Sequence, residues 1–172
     1  MKKLLSLALS ASLLAAAAVP AAAVYQDVPS GSALAGEVQK AVDYGLMNGY
    51  STEDFGYADP MTRAQFVTVL DRMLLPQGND ETLVGHITAS MQVDYQSVKA
   101  YYSSIDAAAE HDWVDTDKPF RPSDPITRGE MAEILVRALG LKGAAKLADS
   151  ASTLPFTDVA EGRGYIAVAY AI

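Results

Sequence analysis

Cysteine is absent from the 172-residue chain. That absence removes a disulfide-stapled scaffold, a thiol enzyme and a thiolate metal site together. Histidine is nearly absent as well. His86 and His111 are the two imidazoles; neither sits in a His-Glu-x-x-His pattern, and neither lies near a Gly-x-Ser-x-Gly nucleophile turn. No catalytic residue and no cofactor are therefore expected. Asp115-Thr116-Asp117 could open a calcium loop, but Pro119 stands at the next ligand position and Phe120 where such a loop requires glycine. No metal site is expected either.

Basic charge is scarce. Thirteen Lys and Arg face 21 Asp and Glu, a formal charge of −8, which argues against nucleic acid or an anionic membrane face as a partner. A hydrophobic run able to span a bilayer is also missing. The longest apolar stretch, Leu4 to Val19, falls short of the ~20 residues a spanning helix needs. Preceded by Met1-Lys2-Lys3 and followed by Pro20-Ala21-Ala22-Ala23, it reads as a secretory signal peptide over 1–23, cleaved after Ala23. Without Lys2 and Lys3 the charge becomes −10, and the exported chain begins near Val24. Its stability must come from packing rather than covalent staples.

What the chain does have is internal repetition. Residues 55–74 match 120–139 at an offset of 65. Phe55 aligns with Phe120, Asp59-Pro60-Met61-Thr62-Arg63 with Asp124-Pro125-Ile126-Thr127-Arg128, and Arg72 with Arg137. A weaker match joins Tyr25-Gln26-Asp27-Val28 to Phe156-Thr157-Asp158-Val159. Parts of three units result: 24–75, then a linker or insert over 76–96, 97–140, a linker over 141–155, and a truncated unit over 156–172. Each unit reads as an opening segment, a first helix, a polar loop and a second helix. The spacing predicts first helices over 33–44, with Val38, Ala41, Val42 and Leu46 on one side, and over 97–111, with Tyr101, Ile105, Ala108 and Ala109. Within 76–96 a short helix near 81–91 is expected. Asp27 and Asp158 are expected to cap the opening turns.

Thr62 and Thr127 carry an N-cap signature, since Gln65 and Glu130 three residues later complete a capping box. Met61 with Phe66, and Ile126 with Met131, have the spacing of a hydrophobic staple. In this register Arg63 and Arg128 fall at the first helical position, where the helix's partial positive charge disfavours a cation by several tenths of a kcal/mol. Two things could offset that. One is an ion pair with Asp59 or Asp124; the other is a carboxylate or phosphate from a partner, held by the guanidinium and the free backbone N–H groups. Both can hold together.

On these residues the chain resembles the S-layer homology domain family. Tyr25-Gln26-Asp27-Val28, Asn48-Gly49-Tyr50, Phe55 and Met61-Thr62-Arg63-Ala64-Gln65 carry the likeness in the first unit; Phe120-Arg121-Pro122 and Ile126-Thr127-Arg128-Gly129-Glu130 carry it in the second. The resemblance implies an all-α fold of helix-loop-helix units in a pseudo-threefold bundle, incomplete here because the third unit stops inside its first helix. It also implies non-covalent anchoring to the bacterial cell wall by binding an anionic, pyruvylated secondary cell-wall polysaccharide. Arg63 and Arg128 would take the carboxylate, with Gln65 and Glu130 beside them. Gly49, Tyr50, Tyr102 and Trp113 would lie along the sugars, the aromatics stacking on them or serving only as core. Other such units, or copies of the chain itself, are possible partners. The alternatives are a self-assembling surface-layer protein and a peptidoglycan tether in an envelope with an outer membrane. The second unit departs from the pattern with Met91-Gln92-Val93-Asp94 at its opening and Asp115-Thr116 in place of Gly49-Tyr50.

Overall fold

A computed structural model describes residues 25–75, 85–151 and 154–172. The segment read as a signal peptide, and residues 81–84 of the expected short helix, lie outside these. Among the described residues the protein is all-α: α1 (Ala35–Asp43), α2 (Arg63–Leu74), a 3-10 turn (Ala89–Met91), α3 (Tyr95–Val98), α4 (Tyr102–Glu110), α5 (Arg128–Ala138), α6 (Lys142–Ala151) and α7 (Arg163–Ala171). No helix among them is long and apolar enough to cross a membrane.

The helix starts follow local chemistry. Thr62 and Thr127 each accept from the backbone N–H three residues on, and Gln65 and Glu130 each return a side-chain oxygen to the threonine N–H. Both capping boxes are complete, which accounts for the sharp starts of α2 and α5 after Pro60 and Pro125. The first helix of the second hairpin is broken. The run expected over 97–111 divides into α3, capped by Asp94, and α4, with the turn at 99–101 between them.

From one hairpin to the next, a first helix leans on the second helix of the hairpin before it. Thus α4 packs on α2, and α7 packs on α5. The shared core draws Ala64, Val67 and Leu70 from α2, Ile105, Ala108 and Ala109 from α4, and Ile134 from α5, around Phe120, Met91, Trp113 and Val114. Burial of apolar surface at ~25 cal/mol per Å² makes this cluster the main source of stability. The apolar side of α1, by contrast, is only half-buried.

Of the short helix expected near 81–91, the described part forms only the 3-10 turn Ala89–Met91, yet both connecting segments are tied into the fold. Within 76–96, Met91 is fully buried and its carbonyl accepts from Phe120 N–H at 2.9 Å. The stretch 141–155 carries α6, which clasps α7 closely. The clasp depends on Gly164: a Cβ there would lie 1.9 Å from the carbonyl oxygen of Ala145.

Arginines on the second helices tie each hairpin together. Arg72 Nη1 donates to the Leu46 carbonyl at 3.1 Å. At the equivalent place Arg137, nearly buried, donates through Nε to the Asp112 carbonyl at 2.9 Å and through Nη2 to the Asp112 carboxylate at 2.7 Å.

Candidate functional site

The start of α2 is not an open anion site. The N–H of Arg63 donates to the Asp124 carbonyl at 3.0 Å, and that of Ala64 to the Pro122 carbonyl at 3.0 Å. The loop before α5 therefore caps α2, and a single antiparallel bridge joins Thr62 to Pro125. Arg63 itself is 8% exposed. Its Nε donates to the Phe120 carbonyl, its guanidinium lies 5.1 Å from the Phe120 ring centroid, and Nη1 lies 2.7 Å from Glu130 Oε1. Neither Asp59 nor Asp124 supplies the expected counter-ion. The cation at the positive end of α2 is neutralised by an acid of the next hairpin.

Glu130 is shared three ways. Oε2 accepts from Thr127 N–H at 2.9 Å, while Oε1 lies 2.7 Å from both Arg63 Nη1 and Arg121 Nη2. Burial opposes its ionisation, but the Thr127 N–H and the charges of Arg63 and Arg121 outweigh that and hold the carboxyl below its ordinary value.

Arg128 is different. Its side chain is exposed, and among the described residues no ion pair or hydrogen bond holds it and no acceptor takes the N–H groups of Arg128 and Gly129. The arrangement read from the sequence, an exposed guanidinium beside unfilled N–H groups, is thus found at α5 among the described residues and not at α2.

Three clefts open on these helices. The first, about 330 Å³, holds Gly49, Tyr50 and Gln65 together with Gly56, Arg72 and Tyr101. The second, about 520 Å³, brings Arg63, Glu130 and Trp113 together with Lys118, Arg121 and Glu161. The third, about 620 Å³, holds Arg128, Phe156, Asp158, Glu161, Ile166 and Tyr170. The first two are equivalent grooves: Gly56, Gln65, Thr68 and Val69 of one stand 65 positions before Arg121, Glu130, Glu133 and Ile134 of the other.

The predicted residues are therefore divided among three places. Tyr50 is 62% exposed and offers a face to the first cleft. Trp113 is 5% exposed, belongs to the core and is stacked by His111 at 5.5 Å, so it walls the second cleft without presenting a free face. Tyr102 lies outside all three clefts, packed against the core and edge-on to Tyr95. Asp27 does not cap its own turn. Its carboxylate accepts from the N–H groups of Phe55, Gly56 and Tyr57 at 2.8, 2.7 and 2.7 Å, and those bonds, Phe55 and Tyr57 foremost, lower its pKa. It shapes the wall of the first cleft. Asp158 is exposed on the third. Sequence reasoning passed over Arg121 and Lys118 as site residues. Setting position 121 against its repeat partner, Gly56, is the signal that singles out Arg121.

One helical hairpin capped by the loop of the next, with charged, aromatic-walled grooves alongside, defines a repeat-built helical module. The S-layer homology domain family matches residues 24–67 and 93–132, and the chain belongs to that family through both segments. It is similar to the surface-layer 125 kDa protein of Lysinibacillus sphaericus, 30% identical over 99% of this chain, and to the surface layer protein of Brevibacillus choshinensis, 30% identical over 81%. The chain spans 14% and 13% of those relatives' lengths. No solved structure gives a significant match. Membership makes this a secreted, cell-surface protein.

Proposed function

We propose that the chain anchors an exported protein to the bacterial cell wall without a covalent bond, by holding an anionic, pyruvylated wall polysaccharide in its clefts. The units would be 24–75, 97–140 and the partial 156–172, joined by 76–96 and 141–155. Arg128 is the observation that supports this most. An acid group entering the third cleft would meet a guanidinium with no competing internal partner among the described residues, two backbone donors and the positive end of α5. Phe156 and Tyr170 on the facing wall suit the apolar faces of sugar rings. Asp158 and Glu161 line the same cleft, so geometry rather than net positive charge must hold the ligand. The test is co-sedimentation of the purified chain with isolated cell walls, before and after mild acid strips the ketal. Binding is expected to disappear with the ketal and to fall sharply in Arg128→Ala. Full binding after acid treatment contradicts the reading.

A second reading, self-assembly at the surface, is favoured by exposed apolar side chains: Leu34 and Tyr44 flanking α1, Tyr170 and Ile172 at the end of α7. It predicts association in sedimentation runs with no wall polymer present.

A further inference from the structure

The loop after α1 contains a dipeptide with chemistry of its own. The chain has two asparagines, Asn48 and Asn79, and only Asn48 is followed by glycine. The fold fixes that glycine. A Cβ at position 49 would lie 2.6 Å from the Asp54 carbonyl oxygen and 2.6 Å from Tyr25 Cε1, so any larger residue must force the loop off the Tyr25 ring. The loop has little slack to give, because the same Asp54 carbonyl accepts from Tyr50 N–H at 2.8 Å and from Ser51 N–H at 3.1 Å. Only glycine tolerates so close an approach of its backbone.

The asparagine is held by nothing comparable. Asn48 is exposed on the wall of the first cleft, and among the described residues its side-chain amide makes no hydrogen bond. Nor does any acceptor among them take the N–H of Gly49. The chain is tied on either side, with Met47 N–H donating to the Ala41 carbonyl at 3.2 Å and Tyr50 N–H to Asp54. The peptide joining Asn48 to Gly49 is a gap in that bonding. Exposed loop positions of this kind are where a chain is most open to chemical change, and asparagine is among the thermolabile residues.

We infer that Asn48 is a site of spontaneous modification, at which the folded chain exchanges a neutral amide for a carboxylate. The Gly49 nitrogen, unshielded by a side chain and with no acceptor holding its proton, loses that proton to hydroxide and attacks Cγ of Asn48. A C–N bond forms, closing a five-membered imide, and the side-chain nitrogen leaves as ammonia. Water then opens the ring. Breaking the new bond at Cγ leaves aspartate; breaking the original peptide bond leaves isoaspartate, with the main chain running through the former side chain. Either way one ammonia departs, one water enters and nothing is oxidised or reduced. The wall of the first cleft, which Asn48 shares with Tyr50, Gln65 and Arg72, gains a negative charge.

The experiment incubates the purified chain and Asn48→Gln at neutral and mildly alkaline pH, folded as judged by circular dichroism, with parallel samples unfolded in urea. Anion-exchange chromatography separates the acidic forms, and peptide mapping by mass spectrometry locates the change. The folded wild-type chain is expected to accumulate a form with aspartate or isoaspartate at position 48, faster at the higher pH because ring closure needs the Gly49 nitrogen deprotonated. Asn79 is expected to convert severalfold more slowly, since the side chain of Asp80 shields the attacking nitrogen. Asn48→Gln, whose longer side chain cannot close a five-membered ring, is expected to keep its amide. An amide that persists at position 48 of the folded chain, through an incubation that converts the urea-unfolded chain, overturns the proposal. So does an acidic form that accumulates just as fast in Asn48→Gln, or conversion at Asn79 ahead of Asn48.

Discussion

Arg63 of α2 and Glu130 of α5 lie 2.7 Å apart, so the cation at the start of one hairpin's second helix is balanced from the first turn of the next. Replacing Glu130 by Gln should preserve the cap, because Gln65 performs that role in the first hairpin. It leaves Arg63 buried without a counter-charge. Breaking a buried pair from one side costs about 3–5 kcal/mol; with Glu130 a quarter exposed on its side chain, the loss should lie nearer the lower figure. Urea unfolding of Glu130→Gln measures it against Thr127→Ala, which removes only a cap, at about 1 kcal/mol. A smaller loss in Glu130→Gln than in Thr127→Ala would show the ion pair to be idle.

The acids of these networks set a pH dependence. Glu130 is held below its ordinary 4.5, and Asp112 and Asp27 below 3.8. For Asp112, burial works the other way but is outweighed by Lys142 and Arg137. Groups with depressed folded pKa values bind fewer protons when folded than when unfolded. Their stability is therefore fully present above about pH 4.5 and drains away as pH falls through their folded values. Melting temperature should be flat from pH 7 to 5 and drop steeply below 4. The drop should be shallower in Glu130→Gln. A profile that falls instead between pH 7 and 6 would show that these carboxylates do not set the acid limit.

Much of this was readable from the sequence wherever the deciding interaction is local. The capping boxes at Thr62 and Thr127, the starts of α2 and α5, and the core side of α4 depend on residues three or four apart. The partner of Arg63 was not readable, since Glu130 is 67 residues away and Asp59 sat only four residues before it. Nor was the closing of α2 by the Pro122 and Asp124 carbonyls, because backbone acceptors leave no trace in residue type. Helix α6 hid behind an Ala- and Ser-rich composition that suited a linker; what fixes it is its contact with α7. Asp27 looked like a local cap because its true donors, Phe55 to Tyr57, follow it by 28 to 30 positions.

That long reach gives Asp27 its own prediction. Three amides converge on one exposed carboxylate, so Asp27→Ala should free the loop rather than unfold the chain. Hydrogen exchange at Phe55, Gly56 and Tyr57 should quicken markedly, with the amides of Val67 and Ile105 unaffected. Equal acceleration in the core would mean that the carboxylate supports the whole fold.

Gly164 tests whether the clasp between α6 and α7 matters for binding. Its missing Cβ would sit 1.9 Å from the Ala145 oxygen, 2.8 Å from the Ala145 carbonyl carbon and 3.0 Å from the Asp149 nitrogen. All three are backbone atoms of α6, which cannot swing aside as a side chain would. Gly164→Ala must therefore separate the helices, and it also disturbs the bond from Gly164 N–H to Asp149 Oδ1, 3.0 Å. Overpacking of this kind costs about 1–3 kcal/mol, against a gain in helix propensity of about 1 kcal/mol. Amides of α6 and α7 should lose exchange protection while those of α2 and α4 keep theirs. Because Ile166 and Tyr170 of α7 line the third cleft, wall binding should weaken in the same variant even though Arg128 is untouched. Wall binding that survives the loss of protection in α7 would mean that the third cleft holds its ligand through α5 alone.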